Sequence, residues 1–297
     1  MSAPQGARKE GSKRYYPWRG QNYYSVTTML DAALRRHALE KWNKNKVAEA
    51  VVRNPDLLTL MLSKCEAPGL CPKVDDLLDL CPKCAASLQW LKDAPYLVNQ
   101  RAKDIGTTVH SAIDALQLGR PMPPWPLAVR PRMLQWERFV ADWQVVFELS
   151  EATVFNRTER YAGTLDTICR IPVALVTPLV AVSVGWTVPT DRDFFRLLGD
   201  YKSSQRGIYP EIAMQLAAYR GGEFIGLPDG SEAPMPTVDG TFGLQLTDDT
   251  YNLIPVTTDS EIFASFLYAR ELFRFAEVQS KAVLHPALIP AKAEVAA

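Results

Sequence analysis

Phe194-Phe195-Arg196-Leu197-Leu198-Gly199-Asp200-Tyr201-Lys202-Ser203-Ser204 decides how this chain is read. Its first half is an apolar run, so the segment predicts a buried strand that ends in polar residues. Side chains alternate across a strand, which places Asp200 and Lys202 on one face and Tyr201 on the other. A carboxylate and an amine so placed suit hydrolysis of a phosphodiester. The carboxylate helps hold a divalent metal, while the ammonium steers the attacking water and offsets charge on the phosphate. Surface strands carry Asp-x-Lys triplets often, so the weight of this one comes from its neighbours.

Upstream, Tyr161-Ala162-Gly163-Thr164-Leu165-Asp166-Thr167-Ile168 predicts a second strand with a carboxylate among apolar residues, where an unpaired charge is costly. Gly163 permits a bend or a close backbone approach. Downstream, Tyr209-Pro210-Glu211 opens a helix that carries Gln215 and Tyr219 on one face, four residues apart. Earlier still, Gly106-Thr107-Thr108-Val109-His110 lies in an amphipathic helical stretch.

In that order, G-x-x-x-H, G-x-x-D, D-x-K and Q-x-x-x-Y resemble the RecB-like branch of the PD-(D/E)XK nuclease superfamily. The likeness is greatest to phage and CRISPR-associated RecB-like exonucleases. It runs from about residue 100 to 222, and weakly back to Ser25-Val26-Thr27-Thr28. The resemblance implies an α/β fold, with a restriction-endonuclease-like core of a central mixed sheet flanked by helices. It implies a metal-dependent DNA exonuclease that works on single- or double-stranded ends in phage or bacterial recombination, repair or processing. Asp166 and Asp200 would bind Mg²⁺ or Mn²⁺, with His110 and the main-chain carbonyl of Tyr201 as further ligands, and Lys202 would complete the catalytic set. Glu151 resembles an acidic residue the family often has there, and reads equally as a solvated edge glutamate. Gln215 and Tyr219 would hold the DNA backbone. The chain departs from a simple pattern in the 33 residues that separate Asp166 from Asp200. The rival reading is a DNA- or protein-binding scaffold that keeps the fold without catalysis. Retention of both carboxylates together with the lysine speaks against it.

With 297 residues, 47% of them hydrophobic, the chain can bury a substantial core. Lysine plus arginine equals aspartate plus glutamate at 33 each, so DNA binding would rest on a local basic groove and not on bulk charge. No long apolar stretch and no signal-peptide pattern occur, which predicts a cytoplasmic protein with no membrane contact, in the host cytoplasm if phage-encoded. Recombination or replication proteins are the partners to expect.

Four of the five cysteines, Cys65, Cys71, Cys81 and Cys84, lie within twenty residues. The Cys81-Pro82-Lys83-Cys84 turn lets two thiolates reach one tetrahedral ion. A structural zinc is the expectation, in a cysteine-rich insert over 60–90 too small to fold on its own core. Iron–sulfur members of the resembled group usually place three cysteines near the C-terminus, and none follows Cys169 here. A four-cysteine iron–sulfur cluster stays open on ligand count. Cys169 reads as a core thiol.

A disordered start is predicted over 1–14, one nuclease domain over 15–285 and a loose tail over 286–297. The aromatic and arginine-rich segment Arg14–Tyr24 reads either as a strand pair covering the core or as a surface for stacking unpaired bases. Helices are predicted from Ser25 towards Val52, over 87–118 with a bend at Pro95, over 132–148 with Leu134, Phe139, Trp143 and Val146 inward, and over 260–280 capped by Asp259. Prolines make 120–126 a loop, Glu151 would begin a strand, and residues 171–190 read as an extra hairpin. Residues 223–238 read as loop, followed by strands at 242–246 and 251–256.

Overall fold

The computed structural model describes residues 6–11, 13–34, 37–56, 59, 81–121, 126–205 and 207–287. The described strands form one mixed sheet, and with its helices it makes an α/β fold. In chain order the strands are β1 (Arg8–Glu10), β2 (Lys13–Trp18), β3 (Gln21–Ser25), β4 (Val146–Asn156), β5 (Tyr161–Pro172), β6 (Phe194–Lys202), β7 (Phe224–Gly226), β8 (Glu232–Pro234), β9 (Gly240–Leu246) and β10 (Tyr251–Pro255). The helices are α1 (Val26–Ala33), α2 (His37–Arg53), α3 (Pro82–Gln117), α4 (Arg130–Asp142), α5 (Pro178–Ser183), α6 (Ile212–Arg220) and α7 (Ser260–Glu277).

β5 is the axis of the sheet. Along one edge it pairs antiparallel with β4 from Arg170 to Tyr161. Along the other it changes partner: Tyr161 and Ala162 pair parallel with β3, and Thr167–Pro172 pair antiparallel with β6. Residues 163–166 therefore have no strand on that side among the described residues. β3 and β6 both run into this gap by their carboxyl ends, a place where sheets of this class leave a crevice.

Two helical layers hold the gap open. Val109, Ala112 and Ile113 of α3, with Met133, Trp136 and Phe139 of α4, pack on Phe195, Leu197 and Tyr201 of β6 and on Phe242 and Leu244 of β9. On the other side Met29 and Leu30 of α1, Leu216 and Tyr219 of α6, and Phe266 and Phe273 of α7 cover Leu165, Ile168 and Leu198. Each valine, leucine, isoleucine, methionine and phenylalanine among them contributes about 1.5–3 kcal/mol by its burial. A third cluster of Tyr16, Tyr23, Phe155, Ala162 and Phe224 lies within the curl of the sheet. Trp18 at the end of β2 donates its indole N–H to Glu232 of β8 at 2.8 Å, so the second strand of the order meets the last. Twist accumulated over six neighbouring strands brings them together.

Several sequence expectations change here. Residues 8–10 and 13–14 are in strands β1 and β2, because the charged start pairs with the aromatic strand that follows it. The first helix breaks at Leu34, whose extended backbone ends α1, and restarts at His37. α3 starts at Pro82, a proline tolerated in the first turn, and passes through Pro95 as one helix. α4 ends at Asp142, so Val146 lies in β4, where it is exposed; Leu134 is exposed too. Glu151 sits in the middle of β4 and does not begin it.

No hairpin spans 171–190. β5 continues to Pro172, and Pro178 then opens α5, with the Thr177 hydroxyl accepting the Val180 N–H. Proline chemistry outweighs the β-branched run. The segment 223–238 contains the short strands β7 and β8. β9, β10 and the Asp259-capped α7 fall where expected, with Asp259 accepting the N–H groups of Glu261 at 3.1 Å and Ile262 at 2.9 Å. Cys65 and Cys71, residues 1–5 and residues 288–297 lie outside the described residues. Cys81 is the N-cap residue of α3, and Cys84 is in its first turn. Among the described residues no helix is long and apolar enough to cross a membrane.

Candidate metal centre

The gap beside β5 is where the acidic residues meet. The β5–β6 ladder ends at Thr167 opposite Gly199, leaving the backbone groups that Tyr201 turns towards β5 without a strand partner on that side, while β9 pairs along the other edge of β6. The N–H and C=O of one strand residue point to the same side. Here side chains meet both. The Tyr201 N–H donates to Asp166 Oδ2 at 2.6 Å, and the Tyr201 carbonyl lies 3.0 Å from His110 Nε2. Below the sheet the Tyr201 ring is buried in the core, its hydroxyl accepting from Gln117 of α3 at 2.9 Å.

His110 Nδ1 faces two carboxylates, Asp166 Oδ1 at 3.5 Å and Glu151 Oε1 at 3.8 Å. One ligand atom from each of His110, Glu151 and Asp166 fits within a 4.8 Å group, the separation expected of donors around one ion. The register of β4 on β5, Ser150 opposite Thr167 and Ala152 opposite Leu165, sets Glu151 opposite Asp166. Glu151 also has a left-handed backbone, φ +48°, rare for a residue of its kind.

Asp200, 2% exposed, takes its expected place beside Lys202, with Nζ and Oδ2 2.5 Å apart. Its other oxygen accepts from Gln215 Nε2 of α6 at 2.6 Å. Gln215 also reaches the Tyr219 hydroxyl at 3.3 Å. Tyr219 is only 3% exposed, and its ring lies over Gly163, where a Cβ would come within 2.3 Å of it. Gly163 is thus explained by the seat it leaves for Tyr219. Gly106 on α3 likewise lets the helix approach Ser203, whose hydroxyl would lie 3.3 Å from a Cβ there.

Burial and charge pull the acidic groups apart. Burial lowers the proton affinity of His110, but the charge and hydrogen bonding of Asp166, helped by Glu151 and Asp200, outweigh it and hold the imidazole well above its ordinary pKa. Burial works to raise Asp166, yet His110, Lys202 and the Tyr201 N–H bring it below the usual carboxylate range. Glu151 is raised, first by burial and then by the charges of Asp166 and Asp114 against the opposing His110. Asp200 is raised by burial and by Asp166, with Lys202 opposing. A site that crowds three carboxylates against an imidazole in this way is one that a divalent cation relieves, and oxygen-rich donors with one imidazole suit Mg²⁺ or Mn²⁺.

The residues expected at the catalytic centre, His110, Glu151, Asp166, Asp200, Tyr201, Lys202, Gln215 and Tyr219, thus come together, while of the four cysteines expected to hold a structural metal only Cys81 and Cys84 are among the described residues. Asp114 and Gln117 escaped the sequence reading. Asp114 accepts from Ser150 Oγ at 3.1 Å and carries charge beside Glu151. Their signal was present: His110, Asp114 and Gln117 form a polar stripe at helical spacing on an otherwise apolar face. No protein-family model matches the chain, and no curated protein matches it.

Proposed function

We propose that the chain is a metal-dependent deoxyribonuclease, a RecB-like exonuclease built on a PD-(D/E)XK core. The observation that carries this reading is the convergence of Asp166, Asp200 and Lys202 with His110 and Glu151 at the gap beside β5. His110, Glu151, Asp166 and Asp200 would hold Mg²⁺ or Mn²⁺, with the Tyr201 carbonyl either orienting His110, as it does here, or adding an oxygen through its second lone pair. When bound, the metal supplies charge neutralisation at the phosphate.

The chain's own groups do the rest. Lys202, poised on the Asp200 carboxylate and partly exposed, orients the attacking water and offsets charge that builds on the phosphoryl oxygens. The Gln215 amide fixes the Asp200 carboxylate, and the Tyr201 N–H fixes that of Asp166, so the acidic side chains do not reorganise during the reaction. Tyr219, buried behind Gln215, acts here by positioning that amide and not by touching DNA itself. DNA ends are the substrate proposed, with recombination or repair proteins as partners and the cytoplasm as the setting.

The test is a time course on end-labelled single- and double-stranded DNA with Mg²⁺, with Mn²⁺ and with EDTA. Metal-dependent shortening from an end, lost in Asp200→Ala, supports the reading. No cleavage of any DNA with either metal overturns it.

A further inference from the structure

A second cavity lies within the curl of the sheet. Tyr16, Trp18 and Arg19 of the β2–β3 hairpin, Thr153 and Phe155 of β4, and the loop 227–230 line a cleft of about 370 Å³. Its volume falls in the range of sites for small organic groups. Phe155 and Tyr16 form a buried aromatic floor. Trp18 packs against Phe155, ring centroids 5.2 Å apart, and lies over Gly226, where a Cβ would come within 3.0 Å of the indole. The hydrogen bond to Glu232 fixes the ring while it stays partly exposed. A flat aromatic surface, backed on one side and set in an open cleft, is a stacking platform.

Arg19 adds a separate observation. Its φ is +44° and that of Gly20 is +77°, with Trp18 paired to Gln21 across them. Two consecutive left-handed residues make the tight hairpin turn that asparagine–glycine suits best. The turn itself does not call for arginine, and the head group has its partners outside the turn. That head group reaches across the cleft, Nη2 donating to the Gly230 carbonyl at 3.2 Å and Nη1 lying 3.3 Å from Glu232, yet the side chain is 60% exposed.

The cleft lies on the same face of strands β4 and β5 as Glu151 and Asp166. Thr153 lies opposite Thr164, which meets the Tyr16 hydroxyl at 3.0 Å. Glu151 and Asp166 each come two residues further along those strands, about 7 Å away, a step that one extended nucleotide spans.

We infer that this cleft holds an unpaired nucleobase of the DNA strand whose phosphate lies at the metal centre, with Trp18 stacking on the base and Arg19 facing the backbone. The inference rests on the nuclease reading and deepens it, because it makes single-stranded DNA the substrate class. A base inside a duplex is covered on both faces by its neighbours and cannot enter.

The test uses fluorescence anisotropy in EDTA, with a labelled short oligothymidylate and a blunt duplex as probes. The proteins are wild type, Trp18→Leu and Arg19→Gly. Glycine fits the left-handed turn better than arginine, which offsets the loss of the exposed contacts to Gly230 and Glu232, so Arg19→Gly should melt close to wild type. Wild type should favour the oligothymidylate, and both variants should lose about tenfold in affinity for it, with duplex binding unchanged. Equal wild-type affinity for the two probes overturns the inference. So does oligothymidylate binding that folded Arg19→Gly and Trp18→Leu leave unaltered, or a loss that extends equally to duplex. Cleavage by wild type with Mg²⁺, scored separately, keeps the two ideas apart: binding that depends on Trp18 without cleavage counts against the nuclease, and cleavage with indifferent variants counts against the cleft.

Discussion

Replacing Asp166 separates the two tasks of its carboxylate. Oδ2 accepts the Tyr201 N–H at 2.6 Å where the strand ladder gives out, and Oδ1 faces His110 at 3.5 Å. Asp166→Asn keeps an acceptor and the shape while removing the charge. Asp166→Ala removes both and strands a buried N–H, which costs about 1–3 kcal/mol. A domain of this size loses about 2–4 °C in melting temperature per kcal/mol. Taking about 2 kcal/mol, the alanine variant should melt about 4–8 °C below the asparagine variant. The asparagine variant should stay close to wild type, since losing the attraction of His110 and Lys202 is set against relief of carboxylate crowding. Both variants should bind Mn²⁺ at least about tenfold more weakly, because each lacks an anionic ligand. Calorimetric melts without metal and a Mn²⁺ titration measure the two effects. Equal melting of the alanine and asparagine variants refutes the structural task, and wild-type Mn²⁺ affinity in Asp166→Asn refutes the ligand.

Lys202→Ala should cut the rate of DNA cleavage by about 10²–10⁴ while Mn²⁺ affinity is kept or improved, since a competing cation leaves Asp200; cleavage at the wild-type rate would remove Lys202 from the mechanism. Gln215→Ala should cost less, about tenfold in rate, with bound metal unchanged, because it only frees the Asp200 carboxylate to move; an unaltered rate would reduce this helix face to packing. Glu148 has a lowered pKa: burial raises it, but hydrogen bonds from Arg196 and Arg170 overcome that. Its stabilisation is therefore present above its ordinary value of 4.5 and is lost as pH falls through its lower folded value. Glu148→Gln should melt lower than wild type at neutral pH, with the gap closing in acid, and a constant gap would contradict the assignment. Metal analysis of protein purified without air should find one zinc per chain, lost when Cys81 and Cys84 are both changed to serine; stoichiometric iron, or neither metal, would overturn the zinc.

Much of the site was legible because its signals are local. Strand alternation puts Asp200 and Lys202 on one face and one helical turn does the same for Gln215 and Tyr219, while their selection as site residues came from the order of the four motifs and the resemblance it carries. Even the strand that carries Asp166 could be placed from its apolar neighbours. What stayed hidden depends on partners far apart in the chain. Glu151 read equally well as an edge glutamate, since only the register of β4 on β5 sets it opposite Asp166. The segment 171–190 misled because β-branched residues favour strands wherever packing allows, while Pro178 and Thr177 start a helix by a stronger local rule. Likewise Val146 kept helical periodicity with α4 although the helix had ended at Asp142. Of the two alternatives for Arg14–Tyr24, the strand pair is what forms, and base stacking is carried on only as the proposal made above for its cleft. Tyr16 and Tyr23 go into the core, and Trp18 and Arg19 line a cleft.

The centre is bound up with the sheet more closely than a list of ligands conveys. A ladder that ends early leaves a strand residue with both backbone groups unmet, and burying such groups costs several kcal/mol unless a partner is supplied. Here a carboxylate supplies one partner and an imidazole the other, so the demand of the Tyr201 backbone places Asp166 and His110 within reach of each other and of Glu151. A ladder extended by one more pair would satisfy Tyr201 with backbone from β5, and the acidic side chains would lose their fixed positions. Stability and the proposed chemistry therefore ask for the same gap. One glycine follows from it as well: Gly163 must be bare for Tyr219 to back Gln215 against Asp200, while at Gly106 a Cβ would only press on the Ser203 hydroxyl at 3.3 Å.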